Sequence, residues 1–166
     1  MSDYHLPYFG KINTTAPIND YWTKIDLNGY QTRVDIVFEN KSPDIDTLKK
    51  IVHFLENIPA FIIQNLTLIK SDFDREGEAA DYINFYLDEL DESELSAIID
   101  ISNKSRSVEL QLLDKLILAN IWIYPDTENN FGVFHYSIEL DGEPCNQLLT
   151  IPTNEHGEVN DITWES

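Results

Sequence analysis

Residues 21–36 read YWTKIDLNGYQTRVDI, and this stretch decides the fold. Asn28-Gly29 sits at its centre between two alternating runs. That dipeptide is the strongest short-range hairpin signal, because both central positions of the tight turn need positive φ. Pairing outward from the turn sets Leu27 opposite Tyr30, Ile25 opposite Thr32, Thr23 opposite Val34 and Tyr21 opposite Ile36. All eight share one face. Lys24, Asp26, Gln31, Arg33 and Asp35 share the other, with Trp22 as its apolar exception. Burial of the first face fixes the register, since a slip of one residue inverts every side chain. A short strand over residues 8–12 is expected to join this hairpin, with Pro17 and its polar neighbours as the connection.

Downstream the period changes from two to that of a helix. Ser42 is expected to cap and Pro43 to occupy the first helical position. Ile45, Leu48, Ile51, Val52, Leu55 and Ile58 follow at helical spacing, and Pro59 is expected to end that helix. A second helical segment runs over 60–69. A third spans 78–90, with Ala79, Tyr82, Ile83, Tyr86, Leu87 and Leu90 in one stripe. Asp91 with Glu94 three residues on opens a short fourth helix by a capping box. Residues 108–116 fit a strand or a helix, and helix is favoured.

The tail returns to period two. Strands are expected over 118–124, 131–140, 147–151 and 159–164, with turn chemistry at 126–130, Asp141-Gly142 and His156-Gly157. On 131–140, Phe134, Tyr136, Ile138 and Leu140 share a face. Strands first, helices next and strands last predict an α+β two-layer sandwich. Its antiparallel-rich sheet comes from N- and C-terminal strands, with the central helices on one face. A chain of 166 residues without repeats, low-complexity tracts or a long linker is a single domain over 1–166.

Eleven Lys and Arg against thirty Asp and Glu leave a formal charge of −19. So acidic a chain repels phosphate backbones and anionic bilayers, which argues against nucleic-acid and membrane partners. The charge is uneven. Residues 72–100 hold eleven acids and one base, Arg75, while residues 1–71 are nearly balanced. Such a run either solubilises the chain or presents a surface to a basic partner. In the second reading the contact residues are Asp88, Glu89, Asp91, Glu92 and Glu94. The lone Cys145 forms no intrachain disulfide, and no apolar run nears membrane-span length. No secretory leader is recognisable at the amino terminus. A reduced, cytoplasmic protein is the simplest expectation, and a chain trimmed of a leader reads the same.

Asp72-Phe73-Asp74-Arg75-Glu76-Gly77 copies the opening of a calcium-binding EF-hand loop, with acids at alternate positions before a glycine. Asp72, Asp74 and Glu76 are its candidate metal ligands. Position 12 falls on Ile83, so the closing carboxylate is lacking, and a Gly-punctuated helix junction is the competing reading. No nucleophile elbow and no phosphate loop occurs. Cys145 has no base adjacent in sequence, and His135 in a strand and His53 on a helix read as ordinary packing or surface residues. Trp22, Trp122 and Trp164 read as core or sheet-surface packing. No cofactor and no catalytic residue is expected.

Several segments taken together carry a resemblance: Pro7-Tyr8-Phe9-Gly10-Lys11-Ile12, the Asn28-Gly29 hairpin with Val34-Asp35-Ile36, and Phe54-Leu55-Glu56-Asn57. Asp81-Tyr82-Ile83 to Asp88-Glu89-Leu90, Ile121-Trp122-Ile123-Tyr124-Pro125-Asp126 and Phe134-His135-Tyr136 complete it. The pattern resembles a bacterial domain-of-unknown-function family, number 2004. That resemblance implies a two-layer α+β sandwich and supplies no catalytic residues. Small acidic bacterial proteins also look like immunity proteins, which neutralise toxins. The functional expectation is therefore a non-catalytic interaction protein with an acidic surface. The alternatives are a small-molecule binding domain with a pocket between sheet and helices, and a carboxylate-based metal-dependent hydrolase.

Overall fold

The structure is a computed structural model and describes residues 3–15, 20–39 and 43–166. The hairpin forms as its sequence dictates. Strands β3 (Asp20–Leu27) and β4 (Tyr30–Val37) pair antiparallel, with Leu27 opposite Tyr30 and Tyr21 opposite Ile36. Asn28 and Gly29 both take positive φ, at 56° and 87°. Strands β1 (Asp3–Leu6) and β2 (Gly10–Asn13) pair only with each other, as a separate ribbon. The expected strand at 8–12 does not join β3. Tyr8 and Gly10 take positive φ and fold the chain back on itself, so Leu6 and Ile12 bury their side chains from a two-stranded unit. The expected Pro17 connection and Ser42 cap lie outside the described residues.

Helix α1 runs unbroken from Ile45 to Asp74. Asp44 caps it, its side chain accepting from the Thr47 amide at 2.7 Å, so Pro43 stands before the cap and not inside the first turn. The expected stop at Pro59 does not occur. Pro59 is exposed on the helix, and the buried stripe passes it without a break through Leu55, Ile58, Phe61, Asn65 and Ile69. An interior proline costs a helix about 3 kcal/mol. Burying aliphatic and aromatic side chains on both sides of it, each worth about 1.5–3 kcal/mol, outweighs that cost.

Helix α2 (Glu78–Glu89) follows, then α3 (Glu92–Ile98), which starts with the expected capping box between Asp91 and Glu94. Residues 108–116 resolve as a short helix α4 (Val108–Leu113), capped by Ser107. The tail supplies β5 (Ile117–Ile123), β6 (Gly132–Ser137), a small hairpin of β7 (Glu139–Leu140) and β8 (Glu143–Pro144), then β9 (Leu148–Thr153) and β10 (Thr163–Glu165). The single strand expected over 131–140 is divided. β6 ends at Ser137, whose hydroxyl donates to the chain at Ile138, and β7 pairs with β8 instead. The last strand is shorter than 159–164, with Val159 contributing only an isolated bridge to Thr153.

Six strands form the main sheet in the order β10-β9-β6-β5-β4-β3. Every pairing is antiparallel except β4 with β5, where the chain returns through the helices. The sheet is thus built from both parts of the chain, and the molecule is an α+β two-layer sandwich. Rows run straight across it. Val34, Ile121, Phe134 and Ile151 are register partners on the inner side and are fully buried. Phe54 of α1 packs on this row, its ring 5.8 Å from that of Phe134 and 5.4 Å from that of Phe131. Gly132 makes the approach possible, since a Cβ there would lie 2.0 Å from the Phe54 ring. At the other edge Tyr82 of α2 donates to the Gln147 carbonyl, and the Trp164 ring lies 5.1 Å from Phe85.

Candidate functional site

Among the described residues no helix packs on the opposite side of the sheet. Its central row is polar and crosses all six strands: Lys24, Arg33, Asn120, His135, Thr150 and Thr163, each the register partner of the next. Beside it run Trp22, Asp35, Trp122, Val133 and Pro152. Alternation alone does not produce this. Leu118 points inward opposite Tyr136, and Asn120, two residues on, would do the same in a regular strand. A β-bulge between Leu118 and Asn120 turns Asn120 to the open face opposite His135. The Thr32 hydroxyl pins that irregularity by donating to the Leu118 carbonyl at 2.9 Å.

Nδ1 of His135 lies 2.5 Å from Oδ1 of Asn120. A carbonyl oxygen only accepts, so Nδ1 carries the proton and Nε2 keeps its lone pair. His135 is 6% exposed although it sits on the uncovered side of the sheet. Desolvation pushes its pKa below the ordinary imidazole value, partly offset by the Glu165 carboxylate. The ring meets Trp122 at 5.4 Å, and Trp122 meets Tyr124 at 6.1 Å. Thr150, next in the row, is 4% exposed and its hydroxyl has no hydrogen-bond partner. Together with the turn at Asn129-Asn130 and the segment Asn160-Asp161, these residues bound a concavity of about 630 Å³. At the β3 end of the same face, Arg33 stacks 4.7 Å over the Trp22 ring and grips Asp35 through Nε and a terminal nitrogen.

The candidate metal ligands are not gathered around a common point. Asp72 lies in the last turn of α1, and its Oδ2 accepts from the Ala79 amide at 2.8 Å, capping α2 from outside. Gly77 lets that carboxylate come close, since a Cβ there would sit 2.3 Å from Asp72 Oδ1. Asp74 pairs with Lys70, and Glu76 is an exposed turn residue with φ at 58°. Among the described residues no group of three or more His, Cys, Asp or Glu side chains is placed to hold a metal ion.

The candidate contact residues Asp88, Glu89, Asp91, Glu92 and Glu94 are all exposed, at the end of α2 and the start of α3. Asp91 and Glu94 also spend hydrogen bonds on each other's backbone. Burial raises the pKa of Cys145 above that of a free thiol, which keeps it protonated and poorly nucleophilic. A second concavity, about 550 Å³ and mostly apolar, lies between α1 and the sheet near Ile62, Leu66, Leu118 and Tyr136. No helix of the described residues is long and apolar enough to cross a membrane. Comparison with family models, curated proteins and solved structures finds nothing that matches this chain.

Proposed function

We propose that the chain is a non-catalytic interaction protein that captures a basic protein partner. One observation supports this above the others. Every carboxylate from Glu76 to Glu94 is exposed, and none of the ion pairs among the described residues involves them. Eight unneutralised acids on two consecutive helices and their turns repel one another, and a basic surface relieves that repulsion. Such a surface accelerates encounter and is screened by salt within about 10 Å at 0.1 M ionic strength. Neutralisation of a basic toxin in the manner of an immunity protein fits this chemistry, by analogy of class. The lone thiol suits a reducing cytoplasm.

The test captures proteins from cell extract on the immobilised chain and then measures association of the purified partner. A basic protein released by moderate salt is expected. Its association is expected to slow at least tenfold with Asp88→Lys, Glu89→Lys and Glu92→Lys combined, which leaves the Asp91–Glu94 capping box intact. Capture of only acidic proteins, or an unaltered rate with the variant, overturns the reading.

A second reading, a domain that binds a small apolar molecule, is favoured by the groove between α1 and the sheet. Asn65, fully buried on α1, donates to the Tyr136 hydroxyl at its floor while its own amide oxygen has no partner. An apolar fluorescent dye that binds saturably, and no longer does so with Leu66→Glu, is the outcome this reading requires.

A further inference from the structure

We propose that the concavity on the open face of the sheet receives the guanidinium group of an arginine side chain presented by a protein partner. The source of that arginine rests on the reading of the chain as a binder of a basic protein. The site itself rests on its own geometry. Its floor offers two acceptors that the fold does not use: Nε2 of His135, whose other nitrogen is engaged with Asn120, and the Thr150 hydroxyl, buried without a partner. Leaving such a group unpaired is costly, and a ligand donor recovers that cost. Asp161 and Glu165 stand at the rim, and no Lys or Arg lines the concavity. Trp122 forms a wall and is 42% exposed.

A guanidinium fits this set for reasons of shape as well as charge. It is planar and carries five donors in a fixed fork, so it can stack on an indole while bonding to several acceptors in its plane. An anion meets two carboxylates. An ammonium satisfies the charge but has no face to lay on Trp122. The molecule already makes the arrangement once on the same face of the sheet, where Arg33 lies over Trp22 and bonds Asp35. The concavity presents the same pairing of indole and carboxylate two strands away.

The experiment titrates N-acetyl-arginine amide into the isotope-labelled chain and follows the Trp122 indole and His135 ring signals by NMR. The lysine and citrulline analogues serve as comparisons. The expected result is saturable shifts confined to β5, β6, β9, β10, the Asn129-Asn130 turn and the Asn160-Asp161 segment, with weaker binding of the lysine compound and none of citrulline. Trp122→Ala and Thr150→Val each weaken arginine binding about fivefold, a loss on the order of 1 kcal/mol. Thr150→Val keeps the shape of the site, and the spectrum of each variant reports whether it has folded. Equal binding of citrulline, shifts scattered over the acidic helices, no saturable response, or unaltered affinity in folded Thr150→Val each overturn the proposal. The two readings fail separately. If the arginine compound binds and no basic protein is captured, the guanidinium site stands and the partner falls. If a basic protein is captured equally well by Trp122→Ala, the partner stands and the site falls.

Discussion

The two sides of the six-stranded sheet are made by the same strands and do opposite work. On β6, Phe134 and Tyr136 turn toward α1, while Val133 and His135 turn away from it. The inner row from Val34 to Ile151 holds the layers together by area, which is non-directional and tolerant of exchange among apolar residues. The outer row from Lys24 to Thr163 contains no aliphatic residue. It keeps an imidazole in one tautomer, an amide turned outward by a bulge and a hydroxyl left unpaired. Packing of a core does not require such specific placements, so the inner face carries the stability and the outer face holds the polar groups on which the proposed site rests.

Several substitutions break or sharpen that division. Phe134→Ala strikes the inner row where four aromatic rings meet, and it should cost about 3–5 kcal/mol in urea unfolding. Gly132→Ala drives a methyl group into the Phe54 ring and should cost about 1–3 kcal/mol by the same measurement. Thr150→Val on the outer row should do the reverse. It replaces an unpartnered buried hydroxyl by a methyl group, and a gain of about 1 kcal/mol is expected. A loss there would mean that the hydroxyl serves the fold, and the contrast between the two faces would fail.

His135 gives the comparison a dependence on pH. Its folded pKa lies below the unfolded value because burial opposes the charged ring, so the unfolded chain binds the proton more readily. The stability this contributes is complete above about pH 6.5, the ordinary imidazole value, and is lost as pH falls through the folded value. His135→Gln should therefore flatten the decline in stability between about pH 7.5 and pH 5. The smallest effect belongs to the acidic helices. Glu89→Gln or Glu92→Gln should move stability by no more than about 0.5 kcal/mol, measured by thermal melting, because these side chains are exposed and form no ion pair among the described residues.

Local chemistry made much of the fold legible. Asn28-Gly29 set the hairpin register to the residue, and the Asp91–Glu94 pair marked the start of α3. Pro59 misled because a local breaker was weighed without the stripe that continues on both sides of it. The 8–12 segment misled because pairing among nearby strands depends on positive φ at Tyr8, a bulky residue that gives no turn signal. The open-face site was less legible still. His135 is outward by simple alternation from Phe134, but Asn120 and Trp122 share its face only because the bulge after Leu118 reverses β5, and Thr150 arrives from a strand beyond another hairpin. The Asp72–Gly77 motif reads as a loop for calcium in one dimension. In three dimensions its first acid is a helix cap and its glycine is the space that the acid occupies.

The parallel seam between β4 and β5 also imposes an order on synthesis. Thr32 finds its hydrogen-bond partner 86 residues later, at Leu118. Until the ribosome has released that far segment, one long edge of the nascent hairpin stays open and its oily side waits for the helices. Contacts closing so long a loop slow folding. The hairpin edge that waits for β5 lies in the nearly charge-balanced part of the chain, so its protection falls to the helices that follow it in sequence.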